Sequence, residues 1–203
     1  MNERINYSGI IERHIRELVA EFKNNPYNFF SESDVKCRLF MILCRDATIS
    51  ELKRTTDGKM ISPLHSEVSY FNDKEKLLFH VDLSVIEPET TDVYSTSATD
   101  GIRFSKGYRA GECYVAIEIK LNKILDKEKM LVAWEKDMRK LGNIRTRNPL
   151  LTCFSILLDK KNHILAETEL TDFEGRYPQV RIVYVNADRR AFFIEGRFST
   201  LAD

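Results

Sequence analysis

Strict alternation of apolar and polar positions marks three strands in the first two thirds of the chain. In residues 114–121, Val115, Ile117, Ile119 and Leu121 share one face, and Tyr114, Ala116, Glu118 and Lys120 share the other. Residues 78–85 repeat the pattern. Phe79, Val81, Leu83 and Val85 are apolar, and His80, Asp82 and Ser84 are polar. In residues 65–71, Ser66, Val68 and Tyr70 alternate with Glu67, Ser69 and Phe71. The turn-forming run Asn72-Asp73-Lys74-Glu75 predicts that this strand and the Asp82 strand form an antiparallel hairpin. Residues 150–158 are apolar on both faces, which predicts a central, covered strand. Residues 180–185 and 191–195 read as two strands joined by a turn, either extending the sheet or forming a surface hairpin.

Helical spacing separates these strands. Ile11, Ile15, Leu18, Val19 and Phe22 form one stripe, ended by Asn24-Asn25-Pro26, and predict a packing helix or dimer contact over 7–24. Ser31 and Asp34 form a capping box for a second helix with the stripe Val35, Leu39, Ile42 and Leu43. A third helix, 127–141, buries Leu131, Trp134, Met138 and Leu141, with Gly142 placed to end it. Residues 45–62 read as irregular and 162–170 as a short helix. The expected fold is mixed α/β: a central mixed sheet flanked by helices in one domain over 1–203. It comprises the N-terminal helix, a core over 31–159 and a C-terminal extension over 160–203 that carries a β-hairpin.

The charges on these strands change the picture. Glu118 and Lys120 stand on a strand whose other face is built for a core, and burying a charge is costly unless it is paired or binds a metal. Either the two satisfy each other or they point into a site. If the two strands are neighbours, Asp82 and Glu118 converge. Two carboxylates 4 Å apart repel by roughly 4 kcal/mol at an effective dielectric of 20, a penalty that a divalent cation reverses. Mg²⁺ suits such a pair, since it is commonly held by one or two carboxylates with water and phosphate.

Composition narrows the classes. Of 203 residues, 43% are hydrophobic and 31% charged, enough for a core and too ordered in pattern for a disordered chain. The formal net charge of zero argues against nonspecific coating of nucleic acid. Residues 118–147 nevertheless hold nine Lys or Arg against five Asp or Glu, a surplus of four. Cys37, Cys44, Cys113 and Cys153 form no C-x-x-C pair and read as buried free thiols of a reducing compartment. The polar start and the lack of a long apolar run predict a soluble, cytoplasmic protein with no membrane partner. The histidines His14, His65, His80 and His163 are too scattered for zinc.

Asp82 followed by Glu118-Ile119-Lys120 resembles the metal site of the PD-(D/E)XK nucleases, the restriction-endonuclease-like superfamily. The order of elements agrees over about residues 31–159: an acidic helix start at Ser31-Glu32-Ser33-Asp34, the Asp82 strand, the Glu118-Ile119-Lys120 strand, then a helix ending Asp137-Met138-Arg139-Lys140-Leu141. His80-Val81-Asp82 carries valine where the family has proline, and an insertion over 88–112 separates the two strands.

The resemblance implies a metal-dependent DNA endonuclease. Asp82 and Glu118 would bind Mg²⁺, with Mn²⁺ a substitute and the Ile119 carbonyl a further ligand. Lys120 would orient or deprotonate the attacking water. Glu32 either leans into the site or only complements its helix dipole. Lys140 either approaches the scissile phosphate or pairs with Asp137 three residues away. Lys123, Arg103, Lys106 and Arg109 are further candidates for gripping phosphates, against a solvated-loop reading of the insertion. The family also implies DNA as substrate and a homodimer. Two other readings stay open: the same fold as an inactive DNA-binding or assembly protein with Glu118 and Lys120 salt-bridged, and an unrelated α+β protein in which Asp82 and Glu118 lie far apart.

Overall fold

The computed structural model describes residues 5–71, 77–91, 112–123, 126–161, 165–188, 191–194 and 197–200. In chain order come α1 (Tyr7–Asn24), α2 (Glu32–Leu43), the one-turn α3 (Ala47–Ser50), the short strands β1 (Lys53–Arg54) and β2 (Met60–Ile61), then β3 (Leu64–Phe71) and β4 (Leu77–Ile86). After them come β5 (Cys113–Asn122), α4 (Lys127–Arg147), β6 (Thr152–Asp159), α5 (Glu167–Arg176), β7 (Val180–Asn186), β8 (Ala191–Ile194) and β9 (Arg197–Thr200).

Among the described residues, β3 to β9 form one mixed sheet in chain order. β3, β4 and β5 pair antiparallel, β5–β6 and β6–β7 pair parallel, and β7, β8 and β9 are again antiparallel. The expected fold class is therefore the observed one. The terminal strands extend the sheet, and the parallel pairing of β7 with β6 makes β7 part of its buried middle.

Strand alternation divides the core into two layers. On one side, Val115, Ile117, Ile119 and Leu121 of β5 pack with Ile11, Ile15, Leu18 and Phe22 of α1 and Val35, Leu39 and Leu43 of α2. On the other, Ala116, Cys153 and Leu157 pack with Met130, Trp134, Met138 and Leu141 of α4. The α1 stripe is completely buried within the chain's own core, so it is not the dimer contact that the sequence left open. The predicted capping box of α2 is present: Ser31 accepts the Asp34 N–H, and Asp34 accepts the Ser31 N–H at 2.8 Å.

Several expectations are corrected. Gly142 does not end α4, which continues to Arg147 and is capped at Asn148; the glycine is buried, and a Cβ there would meet Gln179 Nε2 at 2.5 Å. Cys37 and Cys44 are exposed, because the apolar stripe of α2 turns them to solvent, whereas Cys113 and Cys153 are buried. The C-terminal helix α5, over Glu167–Arg176, lies later than the 162–170 read from sequence. The 45–62 stretch contains a helical turn and a two-stranded ribbon.

The most consequential departure is in β4. Its apolar residues do not share one face: Val81 packs in the α4 layer, while Leu83 and Val85 pack in the α1–α2 layer. The facing of the strand changes at Asp82.

Candidate active site

The change of facing opens a fork between β4 and β5. Their paired residues run from Ile86 opposite Cys113 to Leu83 opposite Ile117. One more step in that register sets Asp82 opposite Glu118. There a side chain takes over from the backbone, since Asp82 Oδ2 accepts the Ile119 N–H at 2.8 Å. Asp82 and Glu118 are thus brought together from positions 36 residues apart in the chain, rather than lying far apart.

Glu118 is 5% exposed. Burial pushes its carboxyl up to about 7; the Lys140 ammonium opposes that shift, and the nearby charges of Asp82 and Asp137 add to it. Asp82 is also raised. Burial is the main cause, opposed by the Ile119 N–H, Lys36 and Lys140 and reinforced by Glu67. The Asp82 charge thus makes Glu118 harder to ionise.

Lysines from both helical layers answer these acids. From α4, Lys140 Nζ lies 2.5 Å from Glu118 Oε1. From α2, Lys36 Nζ contacts Glu67 Oε1 and stands 3.9 Å from Asp82 Oδ1. Lys120 does not pair with Glu118. Its Nζ lies 3.1 Å from Asp137 Oδ2 on α4 and 3.4 Å from Glu32 Oε1 on α2. The expected local pair of Asp137 with Lys140 is therefore replaced by two cross-layer pairs, because both side chains lean onto β5 rather than along their helix. Burial presses the Lys120 pKa down, but Asp137 and Glu32 outweigh it, and the amine stands above the ordinary lysine value. In this state Lys120 is held as a cation.

Glu118 Oε1 and Asp137 Oδ2 are buried, and the compensation each has is an ammonium, Lys140 at 2.5 Å and Lys120 at 3.1 Å. The donor set suits a hard cation: two carboxylates at one fork, one of them deeply buried and held as an ion pair. Among the described residues, no group of three or more His, Cys, Asp or Glu is gathered to hold a metal ion.

The remaining sequence candidates sit around this centre. Lys123 follows β5, exposed, with Nζ 2.5 Å from the Phe30 carbonyl at the entry to α2. His80 is engaged with Ser69, Nδ1 to Oγ 3.0 Å, rather than with Asp82. Arg103, Lys106 and Arg109 lie outside the described residues. Lys36 and Glu67 were not singled out from sequence. The signal for Lys36 was its position four residues after Glu32, on the same helix face. Glu67 shares the expected face of β3 with Ser69 but offers no motif.

No family model matches the chain, and no curated protein does. Among solved structures, the chain is similar to the small subunit of the heterodimeric restriction endonuclease R.BspD6I. The identity is 11% and the TM-score 0.34, over 89% of this chain and 73% of that one. No helix among the described residues is long and apolar enough to cross a membrane.

Proposed function

We propose that this protein is a divalent-cation-dependent phosphodiesterase of the PD-(D/E)XK kind that cleaves DNA. The observation that carries the reading is the juxtaposition of Asp82 and Glu118 at the β4–β5 fork, with Lys120 next along β5. Two neighbouring acids, both raised by burial and one of them deeply buried, form a costly arrangement without a charge partner.

Asp82 and Glu118 would hold Mg²⁺, or Mn²⁺ in its place, with the Ile119 carbonyl as a further candidate ligand. The bound ion would supply an acidified water and neutralise charge on the phosphate. The chain's own contribution is positional. Asp82 is fixed by the Ile119 N–H, and Glu118 is held in a largely water-excluded wall. Lys120, kept protonated by Asp137 and Glu32, is suited to orienting a water or a phosphate oxygen. Glu32 sets the direction of Lys120 in this reading rather than acting as a ligand. Lys140 and Lys123 are candidates for phosphate contact. A homodimer, which would place two such sites on two strands, belongs to the same proposal.

A second reading is favoured by one observation: each acid of the fork already has a lysine close by, Lys140 at Glu118 and Lys36 near Asp82. A catalytically silent DNA-binding or assembly protein would keep this arrangement as its final state. Cleavage of plasmid and branched DNA with Mg²⁺ or Mn²⁺ separates the two. Wild type is expected to cut. Asp82→Ala and Lys120→Ala are each expected to lose about 10²–10³-fold, the usual cost of removing one preorganised electrostatic group. Cutting that survives either substitution, or no cutting by wild type, rejects the nuclease reading. Light scattering on the same preparation is expected to give the mass of two chains, and a single-chain mass removes the dimer.

A further inference from the structure

Glu67 is the one non-glycine residue among those described with a positive φ, 55°, and it occupies the middle of β3. A left-handed backbone costs a non-glycine residue roughly 1–2 kcal/mol, and such strain persists where the surroundings hold it in place. The register shows what it sits against. Ser66 pairs with Leu83 and Val68 with Val81, so Glu67 falls opposite Asp82, at the position where β4 changes its facing. From there the Glu67 carboxylate reaches the α2 layer and engages Lys36.

The two contacts of Lys36 are unequal. Its ammonium is in close contact with Glu67 Oε1 but 3.9 Å from Asp82 Oδ1. At Glu118, by contrast, the ammonium of Lys140 is 2.5 Å away. Asp82 has its other oxygen on the Ile119 N–H at 2.8 Å. A lysine that swung fully onto Asp82 would compete both with that bond and with any cation at the fork.

We propose that Glu67 is a positioning residue that holds the Lys36 ammonium back from Asp82, leaving that carboxylate on the Ile119 N–H and open toward the fork. The inference rests on the cation-site reading above for its functional meaning, but its geometry is independent of that reading. Glu67 is not a ligand in this arrangement. It acts through Lys36, and the backbone kink is what carries its carboxylate to the helix side of the sheet.

The full-length protein and three variants, Glu67→Gln, Lys36→Met and the double variant, test this with two readouts. The first is Mn²⁺ affinity by calorimetry, with the metal alone. The second is hydrogen exchange of the Ile119 amide in metal-free protein, followed by NMR. Glu67→Gln is expected to weaken Mn²⁺ binding about tenfold, the equivalent of one charge-assisted contact, and to speed Ile119 exchange. Adding Lys36→Met is expected to restore both to near the wild-type values, since the competing ammonium is gone. A structural role for Glu67 would leave the defect in place or worsen it in the double variant. That outcome, or a Glu67→Gln protein with unchanged Ile119 exchange, overturns the proposal. If wild type binds no Mn²⁺, the cation-site reading fails, and the amide readout and its restoration by Lys36→Met decide the positioning claim alone.

Discussion

Two buried acids on neighbouring strands of the same sheet are compensated in opposite ways. Asp159, at the end of β6, is fully buried. Its Oδ1 accepts from Asn122 Nδ2 and the Lys161 N–H, both at 2.9 Å, and its Oδ2 faces Tyr184 Oη and Asn186 Nδ2, both at 3.4 Å. Asn122, Asp159 and Asn186 are aligned in register across three parallel strands. This is a satisfied polar clasp, with donors fixed by the sheet itself. Glu118 is nearly as buried, yet its Oε1 is answered by an ammonium on a flexible stem. A carboxylate surrounded by rigid neutral donors is part of the scaffold. One left to a movable cation can exchange that partner, which is why the fork, and not the Asp159 cluster, carries the functional reading.

The contrast should appear first in the pH dependence of stability. Because Glu118 titrates near 7 in the folded protein against an ordinary 4.5, the native state holds its proton more tightly than the unfolded chain does. Between those two pH values the native state carries more protons, so stability falls as pH rises and the loss is complete above the folded pKa. Denaturant unfolding of wild type is expected to lose on the order of 2–3 kcal/mol relative to Glu118→Gln across pH 4.5 to 7. Parallel pH profiles for the two proteins would mean that Glu118 is as well compensated as Asp159.

A smaller effect should mark the other acid. Asp159→Asn turns one acceptor into a donor facing donors, and is expected to cost about 1–2 kcal/mol in urea unfolding. Calorimetry should find its Mn²⁺ affinity unchanged. A loss of Mn²⁺ binding in that variant would show that the clasp and the fork are not separate devices.

Much of the framework was legible because periodicity reports burial. The stripes of α1 and α2 and the alternation of β5 are set by residues that face one layer throughout, so local pattern and tertiary position agree. The Glu118-Ile119-Lys120 strand, with Asp82 on a neighbouring strand, was legible for the same reason. What the pattern concealed was the break in β4. Val81, Leu83 and Val85 look like one face, and the residues that reverse it, Asp82 and the left-handed Glu67, carry no glycine or proline to announce a kink. The lysine partners were hidden differently. Spacing suggests Asp137 with Lys140, but both reach the sheet, where contact depends on packing between layers rather than on helical intervals. Gly142 departs from its expected place because a glycine after an apolar stripe usually ends a helix, whereas here it makes room for Gln179.

Lys120 also ties the architecture together. Its ammonium is shared by Glu32 and Asp137, which belong to helices on opposite faces of the sheet. A ligand that draws this amine toward itself loosens a fastening common to both layers. Such a ligand would be felt by two helices that otherwise have the whole thickness of the sheet between them.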